Sequence, residues 1–248
     1  MQETFNALTS DFEKMQDTLT LVLEGGGSRV GMMSVFENEV HIGLSSFPFN
    51  LDSILGIGHN IQERVVAYDG IILISHKDNP IQQLTHEQVS GIFSGEITDW
   101  SELGGTSAPI LPIIRGQNSG TQQFFTDFFK IENMADSSVV VGENDEIINM
   151  VSENLNGIGF IGYAYYTTRV HSMRLPNHLD GNTSFVAPSF KNLLNGSYPL
   201  KRSLRIYYKD TTDPAVNAFL TYLQSIRARY VIESNGLVPL QKQTLTTE

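Results

Sequence analysis

The chain is predicted to be α/β, with mixed or parallel sheets. Three observations predict this. Short strand-like runs alternate with segments whose apolar residues recur at helical spacing. Arg64 to Lys77 is a long, mostly apolar run of strand character. Polar loops follow several strands, and in such sheets ligands sit beyond the carboxyl ends of strands. Three loops lie at such places: Gly27-Ser28, Ser45-Ser46 and Arg115 to Thr121.

Each element has its own signal. Glu3 to Lys14 is predicted to be an amphipathic helix through Phe5, Leu8 and Phe12, and Thr18 to Leu23 a strand. A glycine loop precedes a helix from Arg29 to Glu37, and Val40 to Leu44 is a short strand ending in Ser45-Ser46. Thr85-His86-Glu87-Gln88 has capping-box spacing and starts a helix to about Phe93. Pro109 to Ile114 reads as a buried strand, Phe124, Phe125, Phe128 and Phe129 as the apolar face of the helix after it, and Val139 to Val141 as a strand. Asn144 to Leu155 is predicted to be a helix with Ile147, Ile148, Val151 and Leu155 on one face, stopped by Gly157. Gly159 to Tyr166 mixes strand and helix signals, and Ser203 to Tyr208 is a strand. Asp213-Pro214 is an N-cap followed by proline at the first helical position, and this helix is predicted to reach about Ser234. Gln241 to Glu248 reads as a frayed polar tail.

The composition narrows the function classes. With 248 residues, the chain suits one large domain or two lobes of about 100–150 residues each. No apolar run is long enough to span a bilayer, and no basic segment followed by an apolar one reads as a signal peptide. There are no cysteines, which removes disulfides, thiolate metal sites and cysteine nucleophiles. A net charge of −11 argues against nucleic acid, whose binding depends on neutralising phosphates with Lys and Arg. It does not exclude a small anion, which is held by local dipoles and one or two cations.

The strongest chemical signal is Ile113-Ile114-Arg115-Gly116-Gln117-Asn118-Ser119-Gly120-Thr121. Ser119 is a natural N-cap, with Gly120 and Thr121 in the first turn. Free backbone N–H groups, two hydroxyls and a guanidinium fork then converge, which suits a tetrahedral oxyanion. An ordinary capped helix with a surface arginine would read the same way. Gly25-Gly26-Gly27-Ser28 also follows a strand and precedes a helix, but its spacing to Gly31 misses the dinucleotide fingerprint and no Walker lysine follows. The six histidines form no metal-ligand pair, with His171 and His178 read as surface residues, and no carboxylates stand out as an acid–base pair. Tyr163, Tyr165 and Tyr166 read as core or cleft wall.

A patatin-like serine hydrolase is a distant alternative. Gly25 to Gly31 resembles its oxyanion loop with one residue inserted, and Asp69-Gly70 resembles its dyad aspartate but lies too early. Gly43-Leu44-Ser45-Ser46-Phe47 lacks the last glycine of a nucleophile elbow.

Taken together, the loops resemble the phosphate-binding proteins of bacterial phosphate ABC importers. The matching stretches are Gly25 to Ser28, Val40 to Ser46, Tyr68 to Ile71, Ile92 to Gly105 with its F-S-G-x-I-T-x-W pattern, Arg115 to Phe125, Gly157 to Phe160 and Tyr198 to Leu200. The resemblance implies a two-lobed, type II periplasmic-binding-protein fold with two crossover strands. Lobe 1 would be 1–75 plus 204–248, and lobe 2 would be 76–203. It implies a non-enzymatic protein without cofactor or metal that closes on inorganic phosphate in an interlobe cleft. The protein would deliver it to an ABC permease as a monomer in the periplasm or at the cell surface, without membrane insertion or nucleic acid. An anion-sensing module of a signalling protein is the alternative with the same site. The family's site residues carry over to Ser28, Ser46, Arg115, Ser119, Gly120 and Thr121, and Asp69 could add an acceptor beside its structural role.

Two departures stand out. Some family members carry a carboxylate at the Ser46 position, which accepts the proton of hydrogen phosphate and rejects sulfate. Family members also begin with a strand and a phosphate loop, and Met1 falls where that loop should end. That predicts strands at Thr18–Leu23 and Val40–Leu44 without a central partner, whether the start is misplaced, the chain is a fragment or lobe 1 is remodelled.

Overall fold

The computed structural model describes residues 2–16, 18–25, 27–117, 119–210 and 213–240. The chain divides into two compact units, 1–68 with 202–248, and 69–201. The predicted tail from Gln241 lies outside the described residues.

The first unit opens with α1, Gln2–Glu13, which buries Phe5, Leu8 and Phe12. After a loop come α2, Ser28–Phe36, then β1, Ile42–Ser45, and the single-turn α3, Leu51–Leu55. β2, Ile61–His76, starts here and runs on into the second unit. The chain re-enters along β9, Lys201–Lys209, and closes with α8, Pro214–Tyr222, α9, Ile226–Ser234, and β10, Val238–Pro239. β1 pairs antiparallel with β9, which neighbours β2, and β10 adds to β2 through Val238 and Tyr68. One core packs α1 against Phe219, Tyr222, Leu204 and Ile206, and a second holds Met32, Val35, Ile61 and Tyr207 between α2 and the sheet.

Two predictions fail in this unit. Thr18–Leu23 is not a strand. Its leucines alternate as a strand's would, with Leu19, Leu21 and Leu23 on the core and Val22 82 % exposed. Its backbone is satisfied by side chains instead: Gln16 accepts from the Leu19 N–H and Glu13 from the Leu21 N–H. The segment from Asp213 to Ser234 is two helices, not one. Ser225 interrupts it, accepting from the Ala228 N–H and so capping α9.

The second unit carries α4, His86–Ser94, behind the predicted capping box of Thr85 and Gln88. A 3-10 turn at Trp100–Leu103 follows. Next come β3, Leu111–Arg115, α5, Gly120–Phe129, β4, Val139–Val141, α6, Asn144–Glu153, and β5, Gly157–Gly162. α6 ends two residues before the predicted Leu155, at Glu153, with Asn154 extended. β3 pairs parallel with both β4 and β5, so α5 and α6 are crossovers of parallel-sheet type. β5 pairs with β2, as does β6, Val170–Ser172. β7, Leu175–Pro176, and β8, Phe185–Val186, form a separate ribbon before α7, Phe190–Asn195.

The centre of this unit is aromatic. The Phe125 and Phe160 rings stack at 3.8 Å with Phe93 edge-on, which fixes α5 against β5. Phe124 and Phe128 are only half-buried and stack on each other. Of the two readings, core or cleft wall, core is ruled out for Tyr165 and Tyr166, which are exposed. His171 lies half-buried in β6 rather than on the surface, and burial pushes its imidazole below the ordinary value; His178 is exposed.

Candidate functional site

In the first unit, three predicted residues or loops meet where α2 begins beside the end of β1. Gly27 holds the N-cap position with φ +86, a left-handed conformation that glycine adopts without strain, and it supplies no side-chain cap. The N–H groups of Ser28, Arg29 and Val30 therefore have no acceptor among the described residues, leaving the positive end of the helix open. Ser28 Oγ accepts from the Ser46 N–H at 3.1 Å, tying the two predicted serines together. Ser45 is fully buried. Its hydroxyl donates to the Phe47 carbonyl at 2.6 Å and accepts from the Phe47 N–H at 2.9 Å. It shapes the turn through Phe47.

In the second unit, Arg115 is the last residue of β3, and α5 starts just beyond it. Ser119 caps α5, accepting from the Gln122 N–H at 3.4 Å. Gln122 Oε1 accepts from the Arg115 N–H at 3.2 Å, so the strand end and the helix start are fastened to each other. The N–H groups of Gly120 and Thr121 have no acceptor among the described residues. The Arg115 side chain is 14 % exposed, and its Nε is buried without a partner. A guanidinium fork with donors to spare beside an open helix N-terminus is an anion-binding arrangement.

Asp69 sits in the interior of β2, 6 % exposed, beside Gly162.

Two residues of the second cluster escaped sequence reasoning. Gln122 was legible, since it stands three residues after Ser119 as a capping-box glutamine does. Glu143 was not: its Oε2 lies 3.3 Å from Arg115 Nη2 across 28 positions of sequence, and no local pattern marks it. No group of three or more His, Asp or Glu residues that could hold a metal occurs among the described residues. No helix described is long and apolar enough to cross a membrane.

Two α/β units, each with an open helix N-terminus beside a strand end, define a class of anion-receptor scaffold. The chain belongs to the PBP superfamily domain family, whose model matches residues 1–227. Among its relatives, the phosphate-binding protein PstS of Pseudomonas aeruginosa is 27 % identical over 255 residues, covering 93 % of this chain and 77 % of that one. PstS of Borreliella burgdorferi is 26 % identical over 239 residues, covering 93 % and 83 %. A phosphate-bound crystal structure from Clostridium perfringens, assigned as a phosphate ABC transporter substrate-binding protein, matches at TM-score 0.78 and 27 % identity, covering 97 % and 96 %. An ABC-type phosphate transport receptor from Vibrio cholerae shares the fold, with TM-score 0.85, 22 % identity and coverage of 96 % and 95 %.

Proposed function

We propose that this protein captures inorganic phosphate and delivers it to an ABC permease, working outside the cytoplasm in the periplasm or at the cell surface. The observation that carries this reading is Arg115, with an unpartnered Nε, beside the open N-terminus of α5. Phosphate oxygens accept from the Arg115 guanidinium, the Gly120 and Thr121 N–H groups and the hydroxyls of Ser119 and Thr121. The open N-terminus of α2, with Ser28 and Ser46, is an anion-binding donor set of the first unit. The named relatives support phosphate as the anion and transport as the role. Calorimetric titration of the purified chain with phosphate tests it: saturable binding is the expected result, and no heat at any phosphate concentration refutes it.

A further inference from the structure

The strand end that carries Arg115 also brings up a carboxylate. β3 and β4 run parallel with Arg115 opposite Val141, so the chain leaving β4 reaches Glu143 level with the guanidinium. The turn is held rigidly, because Glu146 Oε2 accepts from the Gly142 N–H at 2.6 Å and the Glu143 N–H at 3.0 Å. The two partners are unequal. Arg115 is largely buried, whereas the Glu143 side chain is 77 % exposed; Glu143 is also the N-cap of α6, in a reciprocal capping box with Glu146. The guanidinium thus has one nitrogen committed to Glu143 and a buried Nε without a partner.

The charge around the site follows from this. Arg115 on β3 is offset by Glu143, and the first turn of α6 adds Asp145 and Glu146, while the first turn of α5 carries no acidic residue. Once the pair is formed, the guanidinium still donates through its spare N–H groups but its net charge is offset, and each further negative charge on the ligand meets carboxylates nearby. We propose that Glu143 is a specificity-determining residue of this anion site, offsetting Arg115 so that the singly charged anion is favoured over the doubly charged one. The proposal rests on the reading of the site as a phosphate site.

Glu143→Gln keeps the size and an oxygen facing Arg115 and removes the charge. Inorganic phosphate is titrated calorimetrically into the parent protein and this variant at about pH 5.5 and about pH 8.5, on either side of its second ionisation. Comparing variant with parent at each pH cancels titrations elsewhere in the protein. Expected is a gain of about two- to fivefold in affinity at the alkaline pH, as for a solvent-screened charge, and a smaller gain at the acid pH. No gain, an equal gain at both, or a loss at either overturns the proposal, since a merely structural Glu143 would weaken both ionic forms alike. Glu143→Ala, measured in the same way, carries the test if the glutamine variant melts lower than the parent. Failure of the parent protein itself to bind phosphate at either pH removes the phosphate reading, and the proposal with it.

Discussion

Gly31 and Gly43 meet main chain to main chain where α2 crosses β1. A Cβ on Gly43 would lie 2.0 Å from the Gly31 carbonyl oxygen, and one on Gly31 would lie 2.9 Å from the Leu44 carbonyl oxygen. The helix therefore rides closer to the strand than any side chain allows. That approach brings Ser28, the first residue of the helix, within hydrogen-bonding distance of the Ser46 N–H.

Gly43→Ala should push α2 off the strand. The clash is with backbone, which has no rotamer to give, so the cost is about 1–3 kcal/mol or more in urea unfolding. Phosphate affinity should fall too, as the Ser28–Ser46 bond opens. Gly31→Ala should cost less. A Gly43→Ala protein with parental stability and affinity would show that the close approach does not position the serines.

Arg115→Ala should leave the fold intact and cripple binding. The side chain contributes one ion pair to an exposed glutamate and its spare donors to the anion. Losing a charge-assisted pair in a desolvated site costs about 2–5 kcal/mol of binding. Calorimetry at parental melting temperature is the check, and near-parental affinity would place the anion elsewhere.

Ser46→Asp should sharpen discrimination between phosphate and sulfate. A carboxylate facing sulfate has no proton to accept and is left as an unpaired charge, whereas hydrogen phosphate can donate to it. The predicted outcome at neutral pH is a larger loss for sulfate than for phosphate. Equal losses would mean that this side chain does not face the proton of the ligand.

Asp11→Asn should lower stability at neutral pH but not in acid. Asp11 accepts from Arg227 at 2.7 and 2.8 Å and from the Tyr222 hydroxyl at 2.8 Å, joining α1 to α8 and α9. The Arg227 hydrogen bonds, aided by Tyr222, hold its carboxyl below the ordinary aspartate value against the opposing effect of burial. A depressed folded-state pKa means that the stabilisation is complete above the unfolded value, near 3.9, and drains away as pH falls through the folded value. The asparagine variant should therefore be less stable by about 1 kcal/mol at pH 7, with the gap closing in strong acid. A pH-independent gap would assign the loss to packing.

What was legible in the sequence was local. The Thr85–Gln88 capping box, the cap at Ser119 and the period of Phe5, Leu8 and Phe12 all depend on neighbours within a turn or two, and each appears where it was read. Leu19, Leu21 and Leu23 do face the core, as alternate residues of a strand would. That alternation could not tell whether a partner strand stands alongside, because ladder pairing is set by distant chain. Ser225 was hidden for a different reason: a serine inside an apolar helical period looks tolerable until the structure shows it capping a new helix. The Arg115–Glu143 pair needed the register of β3 on β4, which no motif encodes.

The interleaving of the two units has a consequence during synthesis. Residues 69–201 form one uninterrupted block, and near its ends the Ile71 N–H donates to the Leu200 carbonyl at 2.9 Å. The first unit is split around it, so Phe12, made before the block, waits for Phe219 and Tyr222, which it touches at 5.3 and 5.2 Å between ring centres. On a ribosome adding about 5–20 residues per second, that wait lasts on the order of 10 s or more. Through it α1 lacks the aromatic partners of Phe12 while the intervening block is completed. The nascent chain is thus most open to misassembly in the first-made part of this unit, until the part of the unit that follows residue 201 is made.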